Sequence, residues 1–317
     1  MFKENKAIIA ALSVNAIIAV MKFVIAAFSG SASLFSEGIH SSADTLNQIV
    51  LLVGKRKAKT PADEKHPFGY ASVTFFASFC VATLLFFVGG AFSLMEASEK
   101  IKHLLNDTGV HMLDMQALWI AAVILAVSIG LELFSLRTAL REVREEQEKE
   151  GTDKGLRAFY KDTSNSSLIV IVTEDLTAIF GLGLALAGVV LTLLTGNPLW
   201  DAIGGAAIGV LLIIAAFILG REIASLIIGE SLPDDRLRQI EDVVLGQPHV
   251  LGCKKIKTSA IGADVVLVEI DVLFAADGSV TAAELMRTIE AIKKDVKALW
   301  SKEGIYVSTS IEAVAQH

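Results

Sequence analysis

Six long apolar blocks constrain the fold of this chain more than any other feature of its sequence. Each reaches the length of about 20 residues that a helix needs to cross the hydrocarbon core of a bilayer. A chain in lipid must satisfy its backbone hydrogen bonds internally, so the blocks predict six membrane-spanning helices. The blocks run from about Lys6 to Ser29, Ala32 to Val53, Tyr70 to Met95, Met115 to Leu140, Ser166 to Leu194 and Pro198 to Gly229.

The charges between the blocks predict how the helices cross the membrane. Lysine and arginine are concentrated after the second and fourth blocks, over 55–65 and 141–161, whereas the other loops are short, balanced or acidic. Positively charged loops remain on the cytoplasmic side of a membrane. With an even number of spans, both termini are then cytoplasmic. We therefore expect an integral, multi-pass protein of the bacterial inner (cell) membrane.

The composition changes after residue 229, where a small soluble domain is predicted. Thr281 and Glu284 carry the capping-box pattern that begins a helix. Alternating apolar residues predict strands. The elements predicted are a helix over 233–245, strands on either side of Gly262, a helix from 281 to about 300 and a strand over 304–314. The predicted fold is thus an all-α, six-helix membrane domain (1–229) followed by a cytoplasmic α+β domain of order αββαβ (230–317).

Four ionisable residues lie inside two of the apolar blocks. His40 and Asp44 are near the centre of the second block, and Glu174 and Asp175 are near the centre of the fifth. Ionisable groups at such depth are costly and usually face the interior of a helix bundle, where they mark ion or proton paths. One imidazole and three carboxylates form a mixed N/O ligand set, which suits zinc, iron or manganese. The four residues therefore predict a site for a divalent metal.

Helical periodicity indicates which of these groups can meet. His40 and Asp44 are four residues apart and share one helix face, which Asn47 continues. Asn47 is either an additional oxygen ligand or an interhelical hydrogen-bond partner. Glu174 and Asp175 are neighbours and point about 100° apart on a helix. We expect one of them to face His40 and Asp44 directly and the other to serve a neighbouring contact or a proton path.

Other polar residues of the apolar blocks allow a purely structural interpretation. The four ionisable groups can pair with one another or with Asn15, Lys22 or Arg137 and so hold the helices together. Lys22 lies toward the far end of its block, where a long side chain can reach the membrane interface. Glu37, one turn before His40, lies nearer the outer surface, where it would be the first group to meet an ion.

A second candidate metal site lies in the loop after the second block, PADEKHPFGY. Asp63 and His66 are three residues apart, a spacing that can chelate a metal. The same residues also fit a solvated turn at Pro67 and Gly69. The pattern alone does not decide between a weak loop site and this turn.

The composition argues against several other functions. A net charge of -7 gives no indication of nucleic-acid binding. The sequence has no GxxxxGK[ST] pattern, so ATP is not predicted as an energy source. Cys80 and Cys253 form no CxxC pattern and are interpreted as packing residues. Neither an enzyme activity nor a bound cofactor is predicted.

Several motifs together resemble the cation diffusion facilitator family. They are SEGIHSSADTLNQ in the second block, the following DEKHPFGY, IVTEDLTAIFGLGLALAG in the fifth block and TGNPLWDAIGGAAIG leading into the sixth. The resemblance covers nearly the whole chain, including a tail similar to the family's metallochaperone-like domain. The Glu-Asp pair in the fifth block resembles a similar pair found in the family branch that contains mitochondrial zinc transporters.

The resemblance implies a transport site made of two ligand pairs at four-residue spacing. His40 and Asp44 match the first pair, and Asp175 matches the second carboxylate of the other pair. The remaining position is Ile171, where many members have His or Asp. Glu174, Asn47 or a water would then supply the missing ligand, and the departure leaves the identity of the metal open.

Two further departures bear on metal binding outside the membrane. Bacterial zinc exporters of the family use an Asp and two His in the loop, but here Tyr70 stands in place of the second His. The tail carries Asp271 and Glu312 on its predicted strands and no His there. We therefore expect a weakened or absent loop site and a tail that mainly dimerises.

The function implied by the resemblance is export of a divalent metal, zinc first, in exchange for protons. The protein would work by alternating access as a homodimer in the lipid bilayer, with the metal and protons as its only ligands. An iron, manganese or cobalt exporter and a passive metal channel are the alternatives kept. A membrane-anchored scaffold and a proton relay for an organic substrate are further rivals.

Overall fold

The structure is a computed structural model that describes residues 2–106, 114–149, 155–263, 265–275, 280–299 and 305–314. A π-helical segment, Leu85–Ala91, joins α3 to α4 in one continuous helical stretch. The helices are α1 (Phe2–Ser29), α2 (Ala32–Ala58), α3 (Val73–Leu84), α4 (Phe92–Asn106), α5 (Met115–Lys149), α6 (Gly155–Asp162), α7 (Ser166–Thr195), α8 (Leu199–Ile228), α9 (Asp234–Leu245) and α10 (Ala282–Ala298). The strands are β1 (Val250–Gly262), β2 (Val265–Ala275) and β3 (Ile305–Val314).

Four helical stretches are long and apolar enough to cross a membrane, and the chain is a membrane-spanning protein. In the described residues they are Val73–Asn106, Met115–Glu148, Ser166–Thr195 and Leu199–Ile228. The first two predicted spans are helical, as expected, but their described residues are not among the helices that are long and apolar enough to cross a membrane. The side chains of α1 are described only from Asn15, and α2 carries polar residues along its length. That α1 and α2 also cross the membrane stays a prediction.

The chain divides into two compact units. The first consists of Met1–Arg56, Phe76–Leu156 and Ser167–Ile223 and has a core of buried aliphatic side chains. On α8, a Cβ on Gly209 would lie 2.8 Å from the backbone nitrogen of Leu94, and one on Gly205 would lie 3.2 Å from the backbone of Ala32. These two glycines let the backbones of α4 and α2 approach α8. The Gly205-x-x-x-Gly209 spacing is typical of such close helix packing.

A buried carboxylate at the start of α8 holds the beginning of α2. Asp201, 2% exposed, accepts the Ser31 hydroxyl at Oδ1 (2.6 Å) and the Ala32 backbone N–H at Oδ2 (2.6 Å). The Ser33 hydroxyl donates to the carbonyl oxygen of Asp201 at 2.6 Å. Lys100 of α4 places its Nζ 3.1 Å from Oδ2. The first N–H groups of a helix have no intrahelical acceptor, so a carboxylate there both caps α2 and stabilises its dipole.

The second unit contains the tail, and its elements follow the predicted order αββαβ. Strand β1 pairs antiparallel with β2, and β2 pairs parallel with β3, giving the sheet order β1-β2-β3. Alternate residues of β2 are buried against α9 and α10, with Val268, Ile270 and Val272 fully buried. The predicted capping box of Thr281 and Glu284 is present at the start of α10.

Two segments from outside the tail belong to this second unit, Lys57–Phe75 and Arg157–Ser166. The ring of Phe68 meets that of Tyr306 on β3 edge-to-face, with centroids 5.3 Å apart. A Cβ on Gly262 would come within 2.6 Å of the Cβ of Ala71. The loop after α2 is therefore packed on the sheet. The domain boundary predicted at residue 229 stays a prediction, since the second compact unit reaches further back along the chain.

We predict that Asp201→Ala destabilises the protein more than Asp114→Ala does. Asp114 is an exposed cap whose Oδ1 accepts the N–H groups of Gln116 and Ala117 of α5. Loss of an exposed cap costs about 1 kcal/mol. Loss of the buried Asp201 leaves several donors unsatisfied and costs roughly 3 kcal/mol.

The melting temperature of the detergent-purified variants, followed by circular dichroism, measures the difference. Equal shifts for the two variants would show that the Asp201 contacts do not hold α2 in place.

Candidate cation site

A cavity of about 370 Å³ lies among α1, α2, α5 and α7. Four carboxylates line it, and they belong to Asp44, Glu132, Glu174 and Asp175. Lys22 supplies a basic group. Its other polar lining residues are Asn15, Ser41, Gln48, Ser128 and Ser135. A pocket with so many carboxylates inside an apolar helix bundle is suited to a cation, because a cation offsets charges that lipid and protein cannot solvate.

His40 and Asp44 stack on one face of α2, as their spacing predicts. His40 Nδ1 lies 3.5 Å from Asp44 Oδ1. His40 is 1% exposed and lies behind Asp44, which reaches the cavity itself. In the described part of the chain, neither ring nitrogen of His40 has a hydrogen-bond partner, and neither has Asp44 Oδ1. Buried polar atoms without partners are rare in folded proteins, so these three atoms remain available to a ligand.

The two neighbouring carboxylates of α7 bond to different helices. Asn47 of α2 donates its side-chain amide to Glu174 Oε1. Ser135 of α5 donates its hydroxyl to Asp175 Oδ2 at 3.0 Å. The angle of about 100° between consecutive helical residues explains this division. The side-chain oxygen of Asn47, Oδ1, is buried and has no hydrogen-bond partner in the described residues, so it is a further available acceptor.

The structure gathers part of the predicted ligand set. Asp44, Glu174 and Asp175 line one cavity, while His40 and Asn47 lie buried beside it. Among the residues described, no group of three or more His, Cys, Asp or Glu side chains is close enough to hold a metal ion. The residue types fit a transported dication, but metal coordination by them stays a prediction.

Glu132 was not identified as a site residue from the sequence, and Lys22 and Glu37 have surroundings other than those expected. Glu132 of α5 lines the cavity. Its carboxylate interrupts the fourth apolar block, and this feature of the sequence could have identified it. Lys22 is 2% exposed, and its Nζ lies 3.2 Å from Glu37 Oε2. The expectation that Lys22 reaches the membrane interface is therefore wrong, because its ammonium group is paired inside the bundle. Glu37 is fully buried in that pair and is not a surface group that meets ions first.

The loop pair Asp63 and His66 forms a hydrogen-bonded turn in which Tyr70 takes part. The His66 backbone N–H donates to Asp63 Oδ1 at 2.7 Å, and the Tyr70 hydroxyl donates to Oδ2 at 2.7 Å. Chiefly because of the Tyr70 hydroxyl, the pKa of Asp63 is held below its ordinary value. The same bond raises the pKa of Tyr70. Both carboxylate oxygens of Asp63 thus accept hydrogen bonds within the turn.

A helical membrane domain around a carboxylate-lined cavity has the architecture of an ion-transport protein. The family model described as the cation efflux transmembrane domain matches residues 8–228, and the chain therefore belongs to the cation efflux family. The family resemblance drawn from the sequence motifs is confirmed.

Curated relatives place the chain near the mitochondrial zinc transporters of this family. It is 29% identical over 95% of its length to "Proton-coupled zinc antiporter SLC30A9, mitochondrial" of Mus musculus, with 53% of that protein covered. The Xenopus laevis protein of the same name is 32% identical over 95% of this chain and 52% of that protein. "Metal tolerance protein C4" of Arabidopsis thaliana is 26% identical over 82% of this chain and 54% of that protein. The chain spans about half the length of these relatives.

We predict that Tyr70→His creates a zinc site in the loop. The change removes the hydroxyl from Asp63 and adds a second imidazole beside His66, which gives three ligands of types that zinc binds. In an Asp44→Asn background, zinc affinity measured by competition with a fluorescent chelator should rise by at least roughly tenfold, because three protein ligands bind zinc more tightly than two.

The matched control is Tyr70→Phe in the same background, which frees Asp63 without adding a ligand and should leave zinc affinity nearly unchanged. A comparable gain from Tyr70→Phe would show that Asp63 and His66 already suffice for a site.

Proposed function

We propose that this protein is a secondary active transporter, not an enzyme, that exports a divalent transition metal, zinc first, in exchange for protons. The observation that carries the proposal is the cavity lined by Asp44, Glu174 and Asp175 in the membrane unit. The nitrogens of His40 beside it, which have no hydrogen-bond partner among the described residues, support the proposal. Relatives named as proton-coupled zinc antiporters favour zinc and proton exchange.

Charge balance explains how such a site would transport. A dication in the cavity offsets the charge of the carboxylates, and protons on the same groups offset it when the metal leaves. Histidine is the side chain that most readily exchanges protons at physiological pH, and His40 is therefore proposed as the group that links the cycle to pH. In the proposed cycle the metal binds to His40, Asp44 and Asp175, with Glu174 or Asn47 assisting. A rocking motion of the helices then exposes the site to the other side.

The orientation belongs to the same proposal. With both termini in the cytoplasm, the segments that follow α2 and α5 are cytoplasmic, and their lysines and arginines support this by the positive-inside rule. The membrane would be a bacterial inner membrane. The start of α2, held by Asp201, would then be at the outer side, where its contacts close the bundle.

Dimerisation through the tail is a further part of the proposal. One face of the sheet is buried by α9 and α10. On the other face of β2, Leu267 and Leu273 are only partly covered, with Glu269 and Asp271 between them. A second copy packed against this face would cover the two leucines. In the described residues Asp271 has no His beside it on its strand, so the tail is expected to bind metal weakly and to serve assembly.

The donor set gives iron, manganese or cobalt as the second candidate cargo. Ile171 stands one turn before Asp175, so the site has a single imidazole among oxygen donors. Sites richer in oxygen bind harder cations such as manganese relatively better than zinc. This departure, together with Asn47, is what favours the alternative.

Transport in proteoliposomes is expected to require the cavity residues and a proton gradient. His40→Ala, Asp44→Asn and Asp175→Asn should each reduce zinc uptake to near background, since each removes a ligand of the proposed site. The measurement is zinc flux with an internal fluorescent indicator, with and without an imposed pH difference.

His66→Ala is the matched control for His40→Ala, because it removes an imidazole from the loop and should retain most transport. Zinc flux that proceeds without proton counterflow would instead indicate a passive channel. Undiminished flux in the Asp44 and Asp175 variants would leave the scaffold function as the better account.

Ile171→His should shift the cargo preference toward zinc. The new imidazole would lie four residues before Asp175 on the same face of α7, and nitrogen ligands favour zinc over manganese by roughly tenfold or more. The ratio of zinc to manganese uptake, measured in competition, reports the change.

Ile171→Leu serves as the control, since it alters the side chain without adding a donor atom. An unchanged zinc-to-manganese ratio in Ile171→His would mean that this position does not contribute to the site.

A further inference from the structure

A buried ion pair lies next to the cation cavity and has no place in the ligand set. Lys22 Nζ lies 3.2 Å from Glu37 Oε2 and donates to Ser41 Oγ at 2.8 Å. Lys22 is 2% exposed and Glu37 is fully buried. Burying an ammonium and a carboxylate costs desolvation energy that their attraction only partly recovers. A pair retained at this depth therefore calls for a role beyond stability.

The two members of the pair differ in their relation to the cavity. Lys22 lines it, together with Asp44, Glu132, Glu174 and Asp175, whereas Glu37 is not among the lining residues. Of the two charged residues, the lysine is therefore the one that reaches the cavity. A metal ion that binds these carboxylates must bind next to a fixed ammonium group.

Close packing fixes Glu37 behind the lysine. A Cβ on Gly181 of α7 would come within 2.9 Å of Glu37 Oε1, so any larger residue at this position would force the carboxylate to move. In the described part of the chain, Glu37 Oε1 has no hydrogen-bond partner. The Glu37 carboxylate is therefore held by its ion pair with Lys22 through Oε2. The same ion pair keeps the ammonium group of Lys22 beside the cavity.

We propose that Lys22 is a built-in cation of the cavity, which offsets the carboxylates when metal is absent and weakens metal binding enough for the ion to be released. The proposal rests on the proposed transport function. An ion pathway must bind its ion strongly enough to load it and weakly enough to let it go. A fixed positive charge beside the site costs a dication twice as much binding free energy as it costs a monovalent ion, because the repulsion energy scales with charge.

Opposite changes in metal affinity test this role. Lys22→Gln removes the positive charge and should tighten zinc binding by roughly tenfold to a hundredfold, given a screened unit charge a few ångströms from a dication. Glu37→Gln leaves the ammonium without its charged partner and should weaken zinc binding. The readout is zinc affinity of the full-length protein in nanodiscs, measured by competition with a fluorescent chelator, together with the melting temperature.

Lys100→Gln is the matched control. Lys100 also pairs with a buried carboxylate, Asp201, but does not line the cavity. Its loss should lower the melting temperature and leave zinc affinity unchanged. If Lys22 and Glu37 served only to hold the helices together, both of their variants would lower the melting temperature and neither would bind zinc more tightly.

A double variant covers the case in which Lys22→Gln does not fold. Lys22→Met with Glu37→Met replaces the buried pair by apolar side chains of similar length, a change that proteins often tolerate. Because the lysine is the nearer charge to the cavity, this variant should bind zinc more tightly than the wild type, though less tightly than Lys22→Gln. Binding equal to or weaker than that of the wild type overturns the proposal.

The Asp44→Asn variant separates an error in the role of Lys22 from an error in the proposed metal site. Asp44→Asn is measured alongside and should weaken zinc binding strongly. If it does so while the Lys22 variants bind like the wild type, only the role of Lys22 is wrong. If Asp44→Asn binds zinc as well as the wild type does, the proposed metal site itself is wrong.

Discussion

The burial of carboxylates in an apolar helix bundle is the constraint on which the rest of the structure depends. Asp44, Glu174 and Asp175 lie around one cavity, where water cannot fully solvate their charges. Each has some compensation, from the imidazole of His40, the amide of Asn47 or the hydroxyl of Ser135. Lys22 adds one ammonium group to a cavity lined by four carboxyl groups, so a mobile cation or protons can balance the charge that remains.

Contacts between helices place these groups. Asp201 fixes the start of α2, and the glycines of α8 let α2 and α4 pack close to it. Near the middle of the bundle, the bond from Asn47 to Glu174 joins α2 to α7. A helix held at both points has little freedom to rotate, so the register of its polar face is set by distant residues.

The sequence predicted the helices, the αββαβ tail and the paired face of His40 and Asp44, because these depend on local periodicity. The partners across the bundle could not be predicted in the same way. Lys22 and Glu37 are 15 residues apart, and Ser31 and Asp201 are 170 apart. Their pairing follows from how the helices pack, and no spacing rule within one helix reveals it. Lys22 was misplaced for this reason, since its position near the end of a block favoured the membrane interface.

X-ray absorption spectroscopy of the zinc-loaded protein can show whether the cavity binds a divalent metal through His40, Asp44 and Asp175, by comparing the wild type with Asp44→Asn. In the wild type we expect nitrogen and oxygen neighbours of zinc at roughly 2.0–2.2 Å, including an imidazole contribution, and we expect this signal to be lost in the variant. A zinc spectrum that is the same in Asp44→Asn, or that shows sulfur ligation, would mean that these residues do not bind the metal.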